Sequence, residues 1–118
     1  MKNKEFWKES KFVYHKGRLR ASRDRKHVAL SSRLIVDITA SFYEKNLPYF
    51  AKGNLLDLGC GKVPLYNAYK NLILDNTCVD WDNSQHGNEF LDLNANLNLK
   101  LDLKSNQFDT IILSDVLE

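Results

Sequence analysis

The run Leu55-Leu56-Asp57-Leu58-Gly59-Cys60-Gly61-Lys62 constrains this chain more than any other stretch. It reads as a short buried strand that breaks into a glycine turn and opens a helix at Pro64. Two glycines one residue apart let the main chain approach a ligand closely, because neither carries a Cβ. Asp57 falls at the carboxyl end of the strand, where open α/β sheets bind ligands. A second acid, Asp80, closes a second strand about twenty residues on, the spacing at which Rossmann-like units place a ribose-binding carboxylate. The pattern predicts a site for an adenosine-containing ligand.

The rest of the chain predicts the frame for that site. Strands are expected at 54–58, 77–80, 89–93 and 108–113, with a short helix over 64–70. A β-branched run such as Phe108-Asp109-Thr110-Ile111-Ile112-Leu113 suits a central parallel strand. Strands alternating with helical segments predict an α/β fold with a Rossmann-like parallel sheet of about four strands. Before it, 28–50 reads as a helix, with Leu30, Leu34, Ile38 and Phe42 at four-residue steps and Pro48 marking a break near its end. Residues 1–15 are aromatic-rich and read as a short helix carrying Phe6, Trp7 and Val13. The division expected is an N-terminal helical arm or lid at 1–53 and a partial Rossmann-like domain at 54–118. The alternation of Leu97, Leu99, Leu101 and Leu103 with polar residues fits either a strand or a surface connection.

Composition narrows the partners. With 118 residues, 43% of them hydrophobic, the chain has enough material for one modest core. A net charge of +2 does not by itself imply nucleic acid. The basic run from Lys16 to Lys26 (Lys16, Arg18, Arg20, Arg23, Arg25, Lys26) reads as a solvated face, with phosphate or RNA contact as the alternative. No apolar run reaches the roughly twenty residues of a membrane span, and the first residues lack the apolar stretch of a signal peptide. The two cysteines, Cys60 and Cys78, read as reduced thiols of a cytoplasmic protein, and no Cys/His cluster has metal-ligand spacing.

The glycine turn itself excludes some ligands. A dinucleotide fingerprint needs a third glycine, and Pro64 stands at that place. Lys62 is followed by Val63, not by the serine or threonine of a phosphate loop. What remains, Asp-x-Gly-x-Gly, resembles the first motif of class I S-adenosylmethionine-dependent methyltransferases. Val79-Asp80-Trp81 resembles their second motif, Phe90-Leu91-Asp92-Leu93 their third, and 108–118 their fourth, in order and at ordinary spacings. The resemblance covers about 54–118.

That resemblance implies roles. Gly59, Cys60 and Gly61 would cradle the methionine part of S-adenosyl-L-methionine, and Asp57 would face its ammonium group. Asp80 would accept hydrogen bonds from both ribose hydroxyls, Trp81 would flank the adenine, and Asp92 with the backbone of Leu93 would meet the adenine amino edge. Ser114 and Asp115 would lie near the sulfonium. Read without the resemblance, the glycine pair is a tight turn, Asp80 and Asp92 are helix caps, Trp81 is an ordinary aromatic, Ser114 is a strand-end cap and His86 is a solvated loop residue. The enzyme so implied methylates a small molecule, a saccharide or a lipid-linked acceptor, since Ser114-Asp115-Val116-Leu117-Glu118 is unlike the Asn-Pro-Pro-Tyr motif of nucleic-acid methylation. No catalytic base is evident beyond the weak candidates Asp115 and Glu118.

The family core has seven strands, of which this chain would hold the first four, as a truncated domain. Its fourth strand would then show an unpaired apolar edge, a surface for self-association. The competing function is a non-catalytic cofactor-binding or assembly module built on the same half-fold.

Overall fold

The structure is a computed structural model that describes residues 1–81 and 87–114. An antiparallel hairpin, β1 (Phe12–His15) and β2 (Arg18–Ala21), precedes a long helix, α1 (Arg33–Phe50). Then come β3 (Asn54–Leu58), α2 (Tyr66–Tyr69), β4 (Asp75–Asp80), β5 (Leu93–Asn94) and β6 (Thr110–Leu113). The last four strands form one parallel sheet in the order β5-β4-β3-β6. This is a Rossmann-like α/β arrangement, whose strand order reverses between β3 and β6.

The expected strand at 54–58 is present to the residue, and that at 77–80 begins two residues earlier, at Asp75. The other two are shorter than their apolar runs. The 89–93 strand shrinks to Leu93–Asn94, and the 108–113 strand begins at Thr110. Residues 97–103 form no strand; their alternation belongs to an irregular connection with a turn at Leu97–Asn98.

The N-terminal part differs most from expectation. Residues 1–11 hold a single 3-10 turn at Lys4–Phe6, and the segment from Phe12 to Ala21 is a hairpin, not the end of a short helix followed by a solvated basic run. Lys16 and Gly17, with φ of 50° and 75°, make the two-residue turn that a right-twisted hairpin favours. The basic residues of the run are therefore interleaved with strand positions. Phe12, Leu19 and Ala21 are buried while Arg18 and Arg20 are exposed.

Helix α1 extends to Phe50, two residues past Pro48. It carries two apolar faces. Val36, Ala40 and Leu47 are buried, whereas Leu34, Ile35, Ile38 and Phe42, the stripe that announces the helix in the sequence, are exposed. The inner face meets β2, and two carboxylates on α1 hold the hairpin. Glu44 accepts from the Leu19 amide and pairs with Arg18, and Asp37 accepts from the Ala21 amide and pairs with Arg23.

One hydrophobic cluster joins both segments: Phe12, Leu19, Val28, Ala40 and Leu47 pack with Leu55, Tyr69, Cys78 and Ile112. The first residues are fastened to the sheet. The Met1 amine pairs with Asp92, Asn3 donates to the Glu89 carbonyl and Lys4 pairs with Asp75. Among the described residues no helix is long and apolar enough to cross a membrane.

The start of β6 is stitched to the α1–β3 link. Asn54 and Asp109 exchange two hydrogen bonds, and the Thr110 hydroxyl bridges Phe50 and Lys52. Gly53 is obligatory there. Its φ is +59°, and a Cβ would lie 2.0 Å from the Asp109 carboxylate.

Candidate functional site

A cavity of about 630 Å³ opens at the carboxyl ends of β3, β4 and β6, the place where a sheet of this topology binds ligands. Its floor is the glycine turn. Gly59 and Gly61 have φ of 69° and 51°, and Val63, a β-branched residue, is also left-handed at 51°. That conformation is costly for valine. It is held by complete burial of the side chain, by the Val63 amide donating to the Cys60 carbonyl, and by the Trp7 indole N–H donating to the Val63 carbonyl. The turn is also tied to β4, since the Gly59 amide donates to the Val79 carbonyl at 2.8 Å.

Asp80, at the end of β4, reaches back to this turn. One carboxylate oxygen accepts from the Gly61 amide at 2.8 Å and the other from the Trp81 amide at 2.7 Å. Each oxygen keeps a second lone pair, which a vicinal diol can use. Trp81 lines the cavity and is 53% exposed, so one ring surface is open to a flat ligand.

Asp57 is the buried acid of the site. It accepts from the Tyr69 hydroxyl at 2.9 Å, and Asn76 in turn donates to that hydroxyl. Burial pushes the Asp57 carboxyl up to about 7, the Tyr69 hydrogen bond pulls it down, and the Asp80 charge raises it again. The Tyr69 phenol is itself held well above its usual range, first by burial and then by Asp57. A buried carboxyl poised near neutrality at a cavity floor favours a cation brought by a ligand. The Cys60 thiol is pushed up by its hydrogen bond with Cys78, by burial and by Asp57 and Asp80, so it is an unreactive thiol and not a nucleophile.

Of the residues singled out in the sequence, Asp57, Gly59, Cys60, Gly61, Asp80, Trp81 and Ser114 meet around this one cavity. Asp92 and Leu93 do not line it. The Asp92 carboxylate instead accepts from the Cys78 amide and pairs with the Met1 amine. The stretch that reaches the cavity on that side is Asn96, Leu97 and Asn98, just past the end of β5. Strand-end geometry was the available signal: with β5 closing at Asn94, the residues after it face the ligand crevice. Ser10, Lys11, Lys26 and His27 also line the cavity, and the hairpin that brings them there is marked only by Lys16-Gly17. Asp115, Glu118 and His86 lie outside the described residues. Among the described residues no group of His, Cys, Asp and Glu could hold a metal ion.

Compared with protein-family models, curated proteins and solved structures, the chain matches none.

Proposed function

We propose that the chain binds S-adenosyl-L-methionine in this cavity and belongs to an enzyme that transfers its methyl group to a small molecule, a saccharide or a lipid-linked acceptor. The observation that carries the reading is the pairing of Asp80 with the glycine turn. A carboxylate fixed by Gly61 at the end of β4 shares one cavity with a buried, near-neutral Asp57. Those two acids suit the two ends of that ligand, a ribose diol and an ammonium group.

The bound cofactor supplies an electrophilic methyl on a sulfonium. The chain's part is orientation and exclusion of water. Asp80 accepts the ribose hydroxyls, Gly59 and Gly61 leave room for the methionine portion, Asp57 meets the ammonium, and Trp81 packs on the adenine. Asn96 and Asn98 offer amide groups where a purine edge would lie. Ser114, at the end of β6, stands on the side where the acceptor enters.

Titration with S-adenosylhomocysteine tests this on the wild type and on Asp80→Ala. Micromolar binding should fall by about 1–3 kcal/mol in the variant, the loss expected for hydrogen bonds to a charged acceptor. Equal affinity of the two proteins refutes the assignment.

A second reading rests on a separate observation. Ile111 and Leu113 on β6 are exposed, as are Leu34, Ile38 and Phe42 on α1, and β6 lies at the end of the sheet. Such a surface favours a module that self-associates. Sedimentation of the wild type against Ile111→Lys tests it. A dimer that the variant dissociates supports assembly through this edge; a wild-type monomer at high micromolar concentration removes it.

A further inference from the structure

The sequence treats 16–27 as one basic run, but the structure divides it. Arg18 and Arg23 point to α1, where Glu44 and Asp37 pair with them. Lys26 and His27 reach the cavity wall instead.

The turn that puts them there is built, not loose. Asp24 accepts from the Lys26 amide through its side chain and from the His27 and Val28 amides through its carbonyl. The Ser22 hydroxyl accepts from the Asp24 amide. Buried Ser22 and Val28 anchor the two ends of this turn. Lys62 lines the same cavity, on a glycine turn whose carbonyls at Lys62 and Val63 accept from Trp7. Among the described residues Lys26, His27 and Lys62 have no ion-pair partner. Two independently braced turns thus bring basic residues to the lining of one cavity, and Lys11 lines it too.

The charge balance identifies what fits. Asp57 and Asp80 are the described acids that line the cavity, and on the proposed reading both would be taken by the cofactor. That cofactor brings a sulfonium and an ammonium against one carboxylate, so it adds positive charge. With Lys26 and Lys62 in the lining, the described loaded site would be cationic without counting Lys11. A neutral acceptor gains nothing from this field, whereas an anion is drawn in and held.

The geometry points to a small acceptor that carries a phosphate or carboxylate group, held by Lys26, His27 and Lys62 in the lining of this cavity. This rests on the methyltransferase reading for the word acceptor; the anion site itself rests on the two turns. Lysine holds such a group as a point charge, so the site selects charge before shape.

The test uses the full chain with inorganic phosphate and acetate as probes, followed by amide NMR shifts at Lys26, His27 and Lys62. A parallel titration with S-adenosylhomocysteine runs on the same samples. Phosphate or acetate should saturate in the millimolar range and weaken at least tenfold in the Lys26→Gln/Lys62→Gln double variant. S-adenosylhomocysteine affinity should change less than twofold, and Lys26→Arg should retain anion binding. Stronger binding of phosphate than acetate assigns a phosphorylated acceptor, and the reverse a carboxylic acid. Anion binding without S-adenosylhomocysteine binding upholds the anion site and refutes the cofactor reading alone. No saturation by either anion, or equal binding by the double variant, overturns the proposal. So does binding of a short RNA that depends on Arg20 and Arg25, since that places the anion surface outside the cavity.

Discussion

Two neighbouring residues of β6 have opposite fates. Ile112 is 7% exposed and sits in the central cluster with Leu55 and Cys78, while Ile111 is 56% exposed. Side chains alternate across a sheet, so the pair reports on its two faces. The face of Ile112 is closed by α1, α2 and the hairpin. The face of Ile111 and Leu113 is open at β6, where a doubly wound sheet would carry further helices. Further in, the same face is covered, since Leu56 on β3 and Val79 on β4 are buried, so the sheet is open only along its β6 margin. Identical side chains there have different physical meanings: one holds the fold, the other is available for contact.

Mutations should separate the two. Ile112→Ala should cost about 2–4 kcal/mol of unfolding free energy, from lost burial and the cavity left behind. Urea titration measures it, and a cost below about 1 kcal/mol would deny that this face is the core. Gly53→Ala should cost about 2 kcal/mol in the same assay, because a Cβ drives into the Asp109 carboxylate and the left-handed backbone strains an L residue. Tyr69→Phe should cost about 1–2 kcal/mol, since it strips a hydrogen bond from a buried acid. Ile111→Lys should change stability by no more than about 0.5 kcal/mol.

The closed face was the legible one. Leu55–Leu58 and the end of β4 could be read because short apolar runs ending in Gly or Asp have few other solutions. Helix α1 was legible as a helix but not in its orientation. Its larger apolar residues, Leu34, Ile38 and Phe42, face out, and its smaller ones, Val36 and Ala40, allow close approach to β2. Size dominates a sequence pattern, whereas packing against a hairpin selects small side chains. The hairpin was missed because its strands are four residues each and the second, Arg-Leu-Arg-Ala, is half basic. Asp57, Asp80 and the glycines were legible because each closes a strand or makes a turn. Asn96 to Asn98 were passed over although the expected strand ended at 93, one residue before β5 does, because the motif resemblance directed the reading to Asp92 and Leu93 instead.

A pH effect sharpens the account of the closed face. Asp57 has its carboxyl raised from 3.8 to about 7, so the folded chain binds a proton that the unfolded chain has released. Stability from this group is therefore present below about pH 4 and is lost as pH rises toward 7. Ligand affinity runs the other way. On the proposed reading the ligand's ammonium would pair with ionised Asp57, so S-adenosylhomocysteine should bind more tightly at pH 8 than at pH 6, by up to about tenfold. Asp57→Asn should flatten both trends, read by thermal melts and by titration at each pH.

The central claim is that the glycine turn and Asp80 form a methionyl-adenosine site and not a dinucleotide site. The most direct test is calorimetric titration of the folded wild-type chain with S-adenosylhomocysteine and, separately, with NAD. The account predicts micromolar affinity for the first and none for the second. Binding of NAD, or of neither ligand by a chain shown to be folded, would contradict it.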